Sequence, residues 1–350
     1  MNPRIAAGRA RPVLAVGFAA LALAIGEAIA AEAPPARIVE PDDRATFSLN
    51  VDNDLFGGTD KYFTSGVLLS YRSASNLPRG GLDRLADRLD PLVDDNPSRR
   101  WGVAFGQKIF TPEDIETRDP DPDDRPYAGW LYGAASLSSY TDTVYNTLEL
   151  QLGVVGPAAL GEQAQNNVHD FLGIDRAFGW DEQLGNEPGI NLVANRMWRL
   201  NRPFDADRPR GLAVGLVPQV TASVGNVQTY GSAGVMARIG RDLYADFGPP
   251  RQRPSVAGSD FVQPATDRWG WYLFAGVDGR IVGRDIFLDG NTFQDSRSVD
   301  KKRLVGDASL GGALLFPWGR LSYVHTLRSE EFDGQDTFAE FGSVNLSVRF

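Results

Sequence analysis

The chain has 350 residues, of which 23% are charged, a formal net charge of −10, two histidines and no cysteine. Without cysteine the protein has no disulfides and no thiolate chemistry, and two distant histidines exclude the usual zinc ligand sets. The acidic balance argues against nucleic-acid binding, because the chain has no basic stripe to neutralise phosphates. An anionic ligand would need local basic residues or a bridging cation.

The first 30 residues predict a secretory signal peptide. Arg4, Arg9 and Arg11 precede an apolar centre at 13–25, and a small-residue cleavage pattern ends at Ala30. The polar, proline-bearing stretch 31–45 predicts a lead-in to the folded part. Since no other stretch approaches 18 apolar residues, we do not expect a helical membrane protein.

From residue 46 to 350 the sequence predicts one domain built of strands. Apolar and polar residues alternate from Thr46, and the alternation is clearest at 144–154. The other runs lie at 61–71, 101–110, 128–140, 190–200, 211–224, 230–242, 268–278, 302–316, 318–331 and 337–350. These strands are longer than most strands of globular proteins, and their length suits a tilted crossing of a bilayer.

Three observations favour a transmembrane β-barrel over a secreted β-sandwich, which is the alternative. The mean hydropathy is low for so many strands. The chain stops on an alternating strand that ends in Phe350, which is typical of bacterial outer-membrane proteins. Aromatic residues near predicted strand ends suit the girdles of a barrel: Trp130, Tyr132, Tyr140, Trp198, Trp269, Trp271, Trp318 and Tyr323. We therefore predict an all-β, twelve-stranded antiparallel transmembrane β-barrel with a short helix in an outer loop.

An even strand number places both chain ends at one rim, and the first, third and fifth connections at the other. Those connections are 52–61, 111–127 and 156–189, and they hold the polar segments of the chain. We expect them to face the cell exterior.

The fifth connection holds His169, and Gln165 lies four residues before it. Apolar residues predict a short amphipathic helix here, on which positions i and i+4 share a face. Histidine is a natural base near neutral pH, so His169 is a candidate general base. The alternative is a surface helix with a solvated histidine. The second histidine, His325, falls on a lipid-facing position and is expected to be structural.

Two further clusters could bind ligands. Asn53, Asp54 and Thr64 gather oxygen donors that suit a cation such as Ca²⁺, although such residues are also common in turns. Arg118, Arg125 and Tyr127 could meet a lipid phosphate and the headgroup layer, or could simply form a charged loop above a girdle. A serine triad has little support, because no G-x-S-x-G motif occurs.

Five motifs in order resemble the LpxR-type lipid A 3′-O-deacylase family. They are N-D-x-F at 53–56, Y-F-T-S-G at 62–66, D-R-P-Y-A-G-W at 124–130, Q-N-x-x-H at 165–169 and G-W-x-x-Q-L-x-N-E-P at 179–188. The resemblance implies a calcium-dependent, twelve-stranded outer-membrane barrel. One departure stands out: the family has a Lys-Arg pair where this chain has Thr117 and Arg118.

The resemblance also implies roles for the site residues. His169 would take a proton from the water that attacks an acyl ester of lipid A, and Gln165 and Asp54 would orient that water or the metal. Asn53, Asp54 and Thr64 would hold Ca²⁺, which polarises the ester carbonyl and bridges an acidic protein to lipid phosphates. Arg118, Arg125 and Tyr127 would bind the substrate.

Two other functions stay open at this point. The barrel could be a non-enzymatic channel or structural protein, although lumen-facing Tyr145, Tyr272 and Phe274 predict a filled interior. It could also be a barrel phospholipase. The expected partner is lipid A or lipopolysaccharide of the outer leaflet, with no obligate protein partner.

Overall fold

A computed structural model of the chain describes residues 42–54, 62–75, 98–249 and 269–350. The predicted signal peptide and residues 31–41 of the predicted lead-in lie outside the described residues. The last part of the lead-in is packed: Asp42 is buried and accepts hydrogen bonds from Arg100 (Nη2–Oδ2, 2.8 Å) and Arg349.

The described residues form thirteen strand segments, and every pairing between them is antiparallel. They are β1 Thr46–Asn53, β2 Tyr62–Arg72, β3 Ser98–Thr111, β4 Ala128–Tyr140, β5 Val144–Val155, β6 Glu187–Trp198, β7 Leu200–Pro203, β8 Leu212–Gly225, β9 Gln228–Arg241, β10 Gly270–Asp285, β11 Leu304–Phe316, β12 Gly319–Arg328 and β13 Ala339–Arg349. The remaining elements are α1 Gly161–Leu172, α2 Ile286–Asp289 and 3₁₀ helices at Pro157–Ala159 and Gly179–Glu182.

The sheet closes into a barrel. β1 pairs with both β2 and β13, and β6 pairs with both β5 and β8. β7 continues the line of β6 after Arg199 and pairs with the first half of β8, so the thirteen segments make twelve barrel strands. The predicted twelve-stranded antiparallel barrel is confirmed.

The two ends of the barrel carry different connections. The connections β1–β2, β3–β4 and β5–β6 meet at one end, which we name the loop rim. The end that carries Phe350 and the short turns after Tyr140 and Phe316 is named the terminal rim. The predicted sharing of one rim by the first, third and fifth connections is confirmed.

The barrel wall exposes apolar side chains on its outside and buries the alternate side chains on its inside. Along β10, Leu273 and Val277 are exposed, whereas Tyr272 and Phe274 between and beside them are buried. Within the described residues no helix is long and apolar enough to cross a membrane. The alternation of exposed apolar and buried side chains along β10 is the apolar-out pattern that a bilayer requires of a strand.

Buried clusters fill the interior at both ends. Near the terminal rim, Tyr145, Tyr272 and Phe274 pack with Leu243 and Phe247 from the β9–β10 connection, which enters the barrel. Near the loop rim the filling side chains are Phe63, Phe110, Trp130, Tyr132, Phe287 and Phe341. The predicted filled interior is confirmed.

The aromatic girdle is smaller than predicted. Trp269, Trp271, Trp318 and Tyr323 are exposed on the outer wall. Trp130, Tyr132 and Tyr140 instead belong to the interior clusters, and Trp198 is buried beneath Arg196. The girdle prediction was wrong for Trp130, Tyr132 and Tyr140, because nearness to a strand end does not determine which side of the wall a residue faces. Trp198 shares the outer face of β6 with Leu192 and Arg196, where Arg196 covers its ring.

Candidate functional site

The site is built around α1, in the connection between β5 and β6. The helix starts after Leu160, whose backbone is in the left-handed conformation. It ends at Gly173, whose φ of 71° suits a residue without a Cβ atom. The amide groups of Gly173 and Ile174 both donate to the carbonyl of His169, and the second of these bonds is 2.9 Å. The predicted helix in this connection is confirmed.

α1 and the turn before it lie against the outside of the barrel wall. The Gln107 amide donates to the carbonyls of Ala159 (2.7 Å) and Leu160 (3.3 Å). At Gly129 a Cβ atom would come within 3.0 Å of the Ala159 Cβ, so glycine permits this close approach. Gln107 alternates with inward-facing neighbours and shares the outer face of β3 with exposed Phe105. The helix therefore covers the wall rather than the mouth of the barrel.

One stripe of α1 is buried: Gly161, Gln165 and His169, at positions i, i+4 and i+8. Gln165 and His169 are each 3% exposed. The prediction that they share a helix face is confirmed. The alternative of a solvated surface histidine is wrong, because α1 turns this stripe away from solvent.

The return segment after α1 determines the tautomer of His169. Nδ1 of His169 lies 2.5 Å from the carbonyl oxygen of Asp175. A carbonyl can only accept, so Nδ1 carries the proton and Nε2 is the basic nitrogen of the neutral ring. Two bonds between Asn166 and the backbone of Ala177, of 2.9 and 3.2 Å, hold this segment in place. Asn166 is thus a positioning residue that sequence reasoning missed, although it stands in the Q-N-x-x-H motif.

Trp180 fixes the orientation of the Gln165 amide. Its indole Nε1 donates to Oε1 of Gln165 at 2.8 Å, and its ring packs on Tyr127 with centroids 4.9 Å apart. With Oε1 accepting from the indole, the Gln165 amide group presents Nε2 as a donor. Among the described residues this buried Nε2 has no hydrogen-bond partner. A buried, oriented and unsatisfied donor beside a histidine is suited to a developing negative charge. Trp180 was also missed; only its place in the G-W motif marked it.

The register of the strands places Asn53 on the outer face of the barrel wall, in the same row of paired residues as the wall positions that contact α1. Asn53 pairs with Ser65, Ser65 with Ile109, and Ile109 with Gly129, so these four form one row across β1 to β4. Asn53 shares its face of β1 with exposed Phe47, which is the outer face. Ile109 packs in a cluster with Trp180, and a Cβ atom on Gly129 would meet Gly161 of α1. The row therefore connects Asn53 with the wall beneath the helix, two strands or roughly 10 Å away.

Asp54 and Thr64 follow at the end of this row. The Asp54 side chain is fully buried. β2 carries one extra residue relative to β3 between Phe63 and Ser65, so Thr64 is the bulged residue. Bulges commonly redirect a strand beside a functional site. The Thr64 side chain and residues 55–61 lie outside what the structure describes.

The donor chemistry of Asn53 and Asp54 fits a hard cation. They contribute an amide and a carboxylate oxygen, the ligand types that Ca²⁺ prefers. Within the described residues, no three histidine, cysteine, aspartate or glutamate side chains are placed so that they could hold a metal ion together.

The three predicted substrate-binding residues have different positions. Arg118 is exposed, and its guanidinium lies 5.9 Å from the ring centroid of Phe178. Arg125 is buried, pairs with Glu331 at 3.3 Å and stacks over Phe110. Tyr127 is buried against Trp180. Direct substrate contact therefore suits Arg118, whereas Arg125 and Tyr127 support the packing of the loop.

His325 is remote from this site. It lies on the outer wall at β12, where Nε2 is 2.6 Å from Glu340 and Nδ1 is 3.3 Å from the Tyr323 hydroxyl. β12 is four strands from β3 in the sheet. The prediction that His325 occupies a lipid-facing position is confirmed.

A family model and several solved structures match this chain. The family model for the outer membrane protein LpxR matches residues 15–350. The chain belongs to the LpxR family. LpxR from Salmonella typhimurium superimposes with a TM-score of 0.71 at 19% identity, covering 87% of this chain and 100% of that one.

More distant barrels also align with this LpxR-family chain. The beta domain of the Bordetella autotransporter BrkA has a TM-score of 0.42 at 10% identity and covers 89% of this chain and 99% of its own. No curated protein matches the chain. Family membership and the apolar outer wall together place the protein in the outer membrane.

Proposed function

We propose that this LpxR-family barrel is an ester hydrolase that removes the 3′-O-linked acyl chain from lipid A, with its loop rim at the cell exterior. One observation carries the proposal. His169 is buried on the outside of the wall, its proton is held on Nδ1 by the Asp175 carbonyl, and an oriented amide donor lies one helical turn away. A base and a donor on the lipid-facing side of a barrel suit an ester that belongs to the membrane.

His169 would act as the general base. Nε2 accepts a proton from water, and the water oxygen attacks the ester carbonyl carbon. Gln165 Nε2 donates to the carbonyl oxygen as negative charge develops on it. When the tetrahedral species collapses, the proton on Nε2 passes to the departing sugar oxygen. The products are a free fatty acid and a hydroxyl group on the lipid, and the ring returns to its starting tautomer.

Asn53 and Asp54, with Thr64, would hold a calcium ion. Bound Ca²⁺ supplies charge that polarises an ester carbonyl and links an acidic protein to lipid phosphates. Arg118 would contact a phosphate of lipid A from its exposed position on the β3–β4 connection. Thr117, at the position of the family's lysine, gives no positive charge, so Arg118 is the basic residue of this pair.

The test is the structure of lipid A in cells that do or do not make this protein. We expect mass spectrometry to show loss of one acyl chain from lipid A only in producing cells, together with release of the corresponding fatty acid. Unchanged lipid A together with lysophospholipid would replace this proposal with the phospholipase alternative. Unchanged lipid A and phospholipid in cells with folded protein and calcium would leave a non-enzymatic barrel. The filled interior already argues against an open channel.

A further inference from the structure

α1 has three distinct sides. The buried stripe of Gln165 and His169 faces the wall. On a second side, Asn166 and Asp170 contact the return segment 173–178 through Ala177 and Arg176. The hydrogen bond from Arg176 lowers the pKa of Asp170, so this side carries charge at neutral pH. The third side is apolar and exposed, and it has no counterpart in the site described above.

The apolar side forms one continuous stripe. Val168, Phe171 and Leu172 are spaced i, i+3 and i+4, so they share a face of the helix. Phe171 is 87% exposed, and Val168, Leu172 and the preceding Leu160 are each about half exposed, at 48%, 51% and 51%. The helix already packs another face on the protein, so an exposed stripe with a large phenyl ring indicates a surface that contacts a further apolar partner.

The position of the return segment shows which way this stripe faces. The segment runs beneath the β3–β4 connection, where the Phe178 amide donates to the carbonyl of Ile115 at 2.9 Å. The return segment therefore lies on the side of α1 that is farther from the middle of the barrel wall and nearer the loop-rim connections. The apolar stripe is on the opposite side of the helix, toward the wall's apolar belt.

The belt begins directly beside the helix. On the outer face of β3, Ile109 and Gln107 meet α1 and the segments around it, and the next outward residues, Phe105 and Val103, are exposed. Successive outward residues on a strand are roughly 7 Å apart. The apolar stripe of α1 is therefore continuous with the surface that faces the acyl chains of the membrane.

We propose that the apolar stripe of α1, formed by Leu160, Val168, Phe171 and Leu172, docks into the acyl chains of the surrounding leaflet. The helix then lies in the membrane interface, as amphipathic helices with one apolar and one charged flank do. Docking holds His169 at the depth of the headgroups, where lipid ester bonds lie. This consequence for chemistry rests on the proposed hydrolysis, whereas the docking itself does not.

The absence of native cysteine permits a direct test with single labels on the full-length protein. A nitroxide is attached to Phe171→Cys, to Gln163→Cys on the exposed polar side of the same helix, and to Leu310→Cys on the outer wall, where Leu310 is 64% exposed. Each protein is reconstituted in phospholipid bilayers. Collisions of the label with oxygen and with a water-soluble nickel chelate are then measured by electron paramagnetic resonance.

We expect the Phe171 label to collide with oxygen more than with the chelate, as the Leu310 label does, and the Gln163 label to show the reverse. A Phe171 label as accessible to the chelate as the Gln163 label would overturn the proposal. Either result is independent of catalysis.

A second experiment tests the link to chemistry. Phe171→Ser and Gln163→Ser are assayed on substrate in bilayers and on the same substrate dispersed in detergent. We expect the ratio of bilayer rate to detergent rate to fall roughly tenfold or more for Phe171→Ser, because a phenyl group buried in the bilayer is lost, and to stay unchanged for Gln163→Ser. An unchanged ratio in both variants would show that docking of the helix does not affect hydrolysis. It would contradict the proposal that docking positions His169 at its substrate. If the wild-type protein hydrolyses nothing, the proposed function fails, and the label experiment still decides the docking.

Discussion

The two histidines of the chain have different electrostatic partners. His169 donates from Nδ1 to the backbone carbonyl of Asp175, so Nε2 is the nitrogen that can accept a proton. His325 has a carboxylate, Glu340, at Nε2. The carbonyl determines which nitrogen of His169 carries the proton and leaves Nε2 as the accepting nitrogen, whereas Nε2 of His325 lies against a carboxylate.

Replacing His169 by alanine should therefore stop ester hydrolysis without affecting assembly. Loss of a general base typically lowers the rate by about 10²–10⁴. The measurement is fatty acid released from lipid A-bearing membranes, with heat-modifiable gel mobility as the check on folding. His325→Ala is the matched control and should keep its activity. Full activity in folded His169→Ala protein would exclude His169 as the base.

Trp180 should matter through a single hydrogen bond. Trp180→Phe keeps an aromatic ring against Tyr127 but removes the indole N–H that orients Gln165. Loss of a whole oxyanion donor costs about 10²–10³ in kcat; because here the donor remains and only its orientation is lost, we expect a smaller decrease in kcat, with KM little changed. Trp318→Phe, at an exposed girdle position, is the control. A decrease in thermal stability with unchanged kcat would instead assign Trp180 a packing role alone.

At the level of elements, the described first part of the β9–β10 connection, residues 242–249, packs inside the barrel near the terminal rim. Its Asp246 is fully buried and accepts hydrogen bonds from Arg320 (2.6 Å), Arg238 (3.0 Å) and the Tyr272 hydroxyl (2.8 Å). Burial disfavours the ionised carboxylate, but the two guanidinium groups outweigh it and hold the pKa of Asp246 below its usual value of 3.8. The connection is thus fastened inside the barrel by one carboxylate.

This fastening predicts a pH dependence. A carboxyl group whose pKa is depressed by folding contributes stability above its usual pKa and loses that contribution as the pH falls through the folded value. We follow heat-induced unfolding by gel mobility. In the wild type, the midpoint temperature should decrease when the pH is lowered below about 4. Asp246→Asn should lower it already at neutral pH, because removing one partner of a buried ion pair costs about 3–5 kcal/mol. Exposed Asp205→Asn is the control. An unchanged midpoint in Asp246→Asn would show that the connection is held by its apolar contacts.

α1 shows how an element acquires a function from its surroundings. Its sequence supplies an amphipathic helix, and the return segment, the outer wall and Trp180 supply the orientation of Gln165 and His169. The same residues on a helix over the barrel mouth would face the filled interior. The location of the helix on the wall thus connects the site with the membrane.

For the whole molecule, the net negative charge of the chain and the anionic lipid proposed as its substrate predict a counter-charge at the site. Removing calcium with a chelator should therefore abolish fatty-acid release, and added Ca²⁺ should restore it better than Mg²⁺, which demands a stricter geometry. Asp54→Ala should raise the calcium concentration needed for half-maximal activity and be partly rescued by excess. The control Asp205→Ala should reach half-maximal activity at the same calcium concentration as the wild type. Undiminished activity after chelation would contradict a calcium role while leaving His169 as base.

Local sequence patterns determined much of this protein. The period-2 alternation defined twelve strands and their outer face, since each strand carries its own apolar side. The spacing of Gln165 and His169 placed both on one face of a helix, because a helix repeats locally. Strand parity brought the three polar connections to one rim.

The tertiary structure decided how these parts meet. The register that aligns Asn53, Ser65, Ile109 and Gly129 depends on contacts between strands, and a slip of one residue would turn Asn53 to the interior. Arg125 pairs with Glu331, 206 positions later in the chain, and no local pattern around Arg125 indicates that partner. Likewise, nothing local shows that α1 folds onto the outer wall, because that choice depends on a close approach at Gly129 and on a hydrogen bond from Gln107. Periodicity is a property of neighbouring residues, whereas register, burial and the side on which a loop packs are properties of residues far apart in the chain.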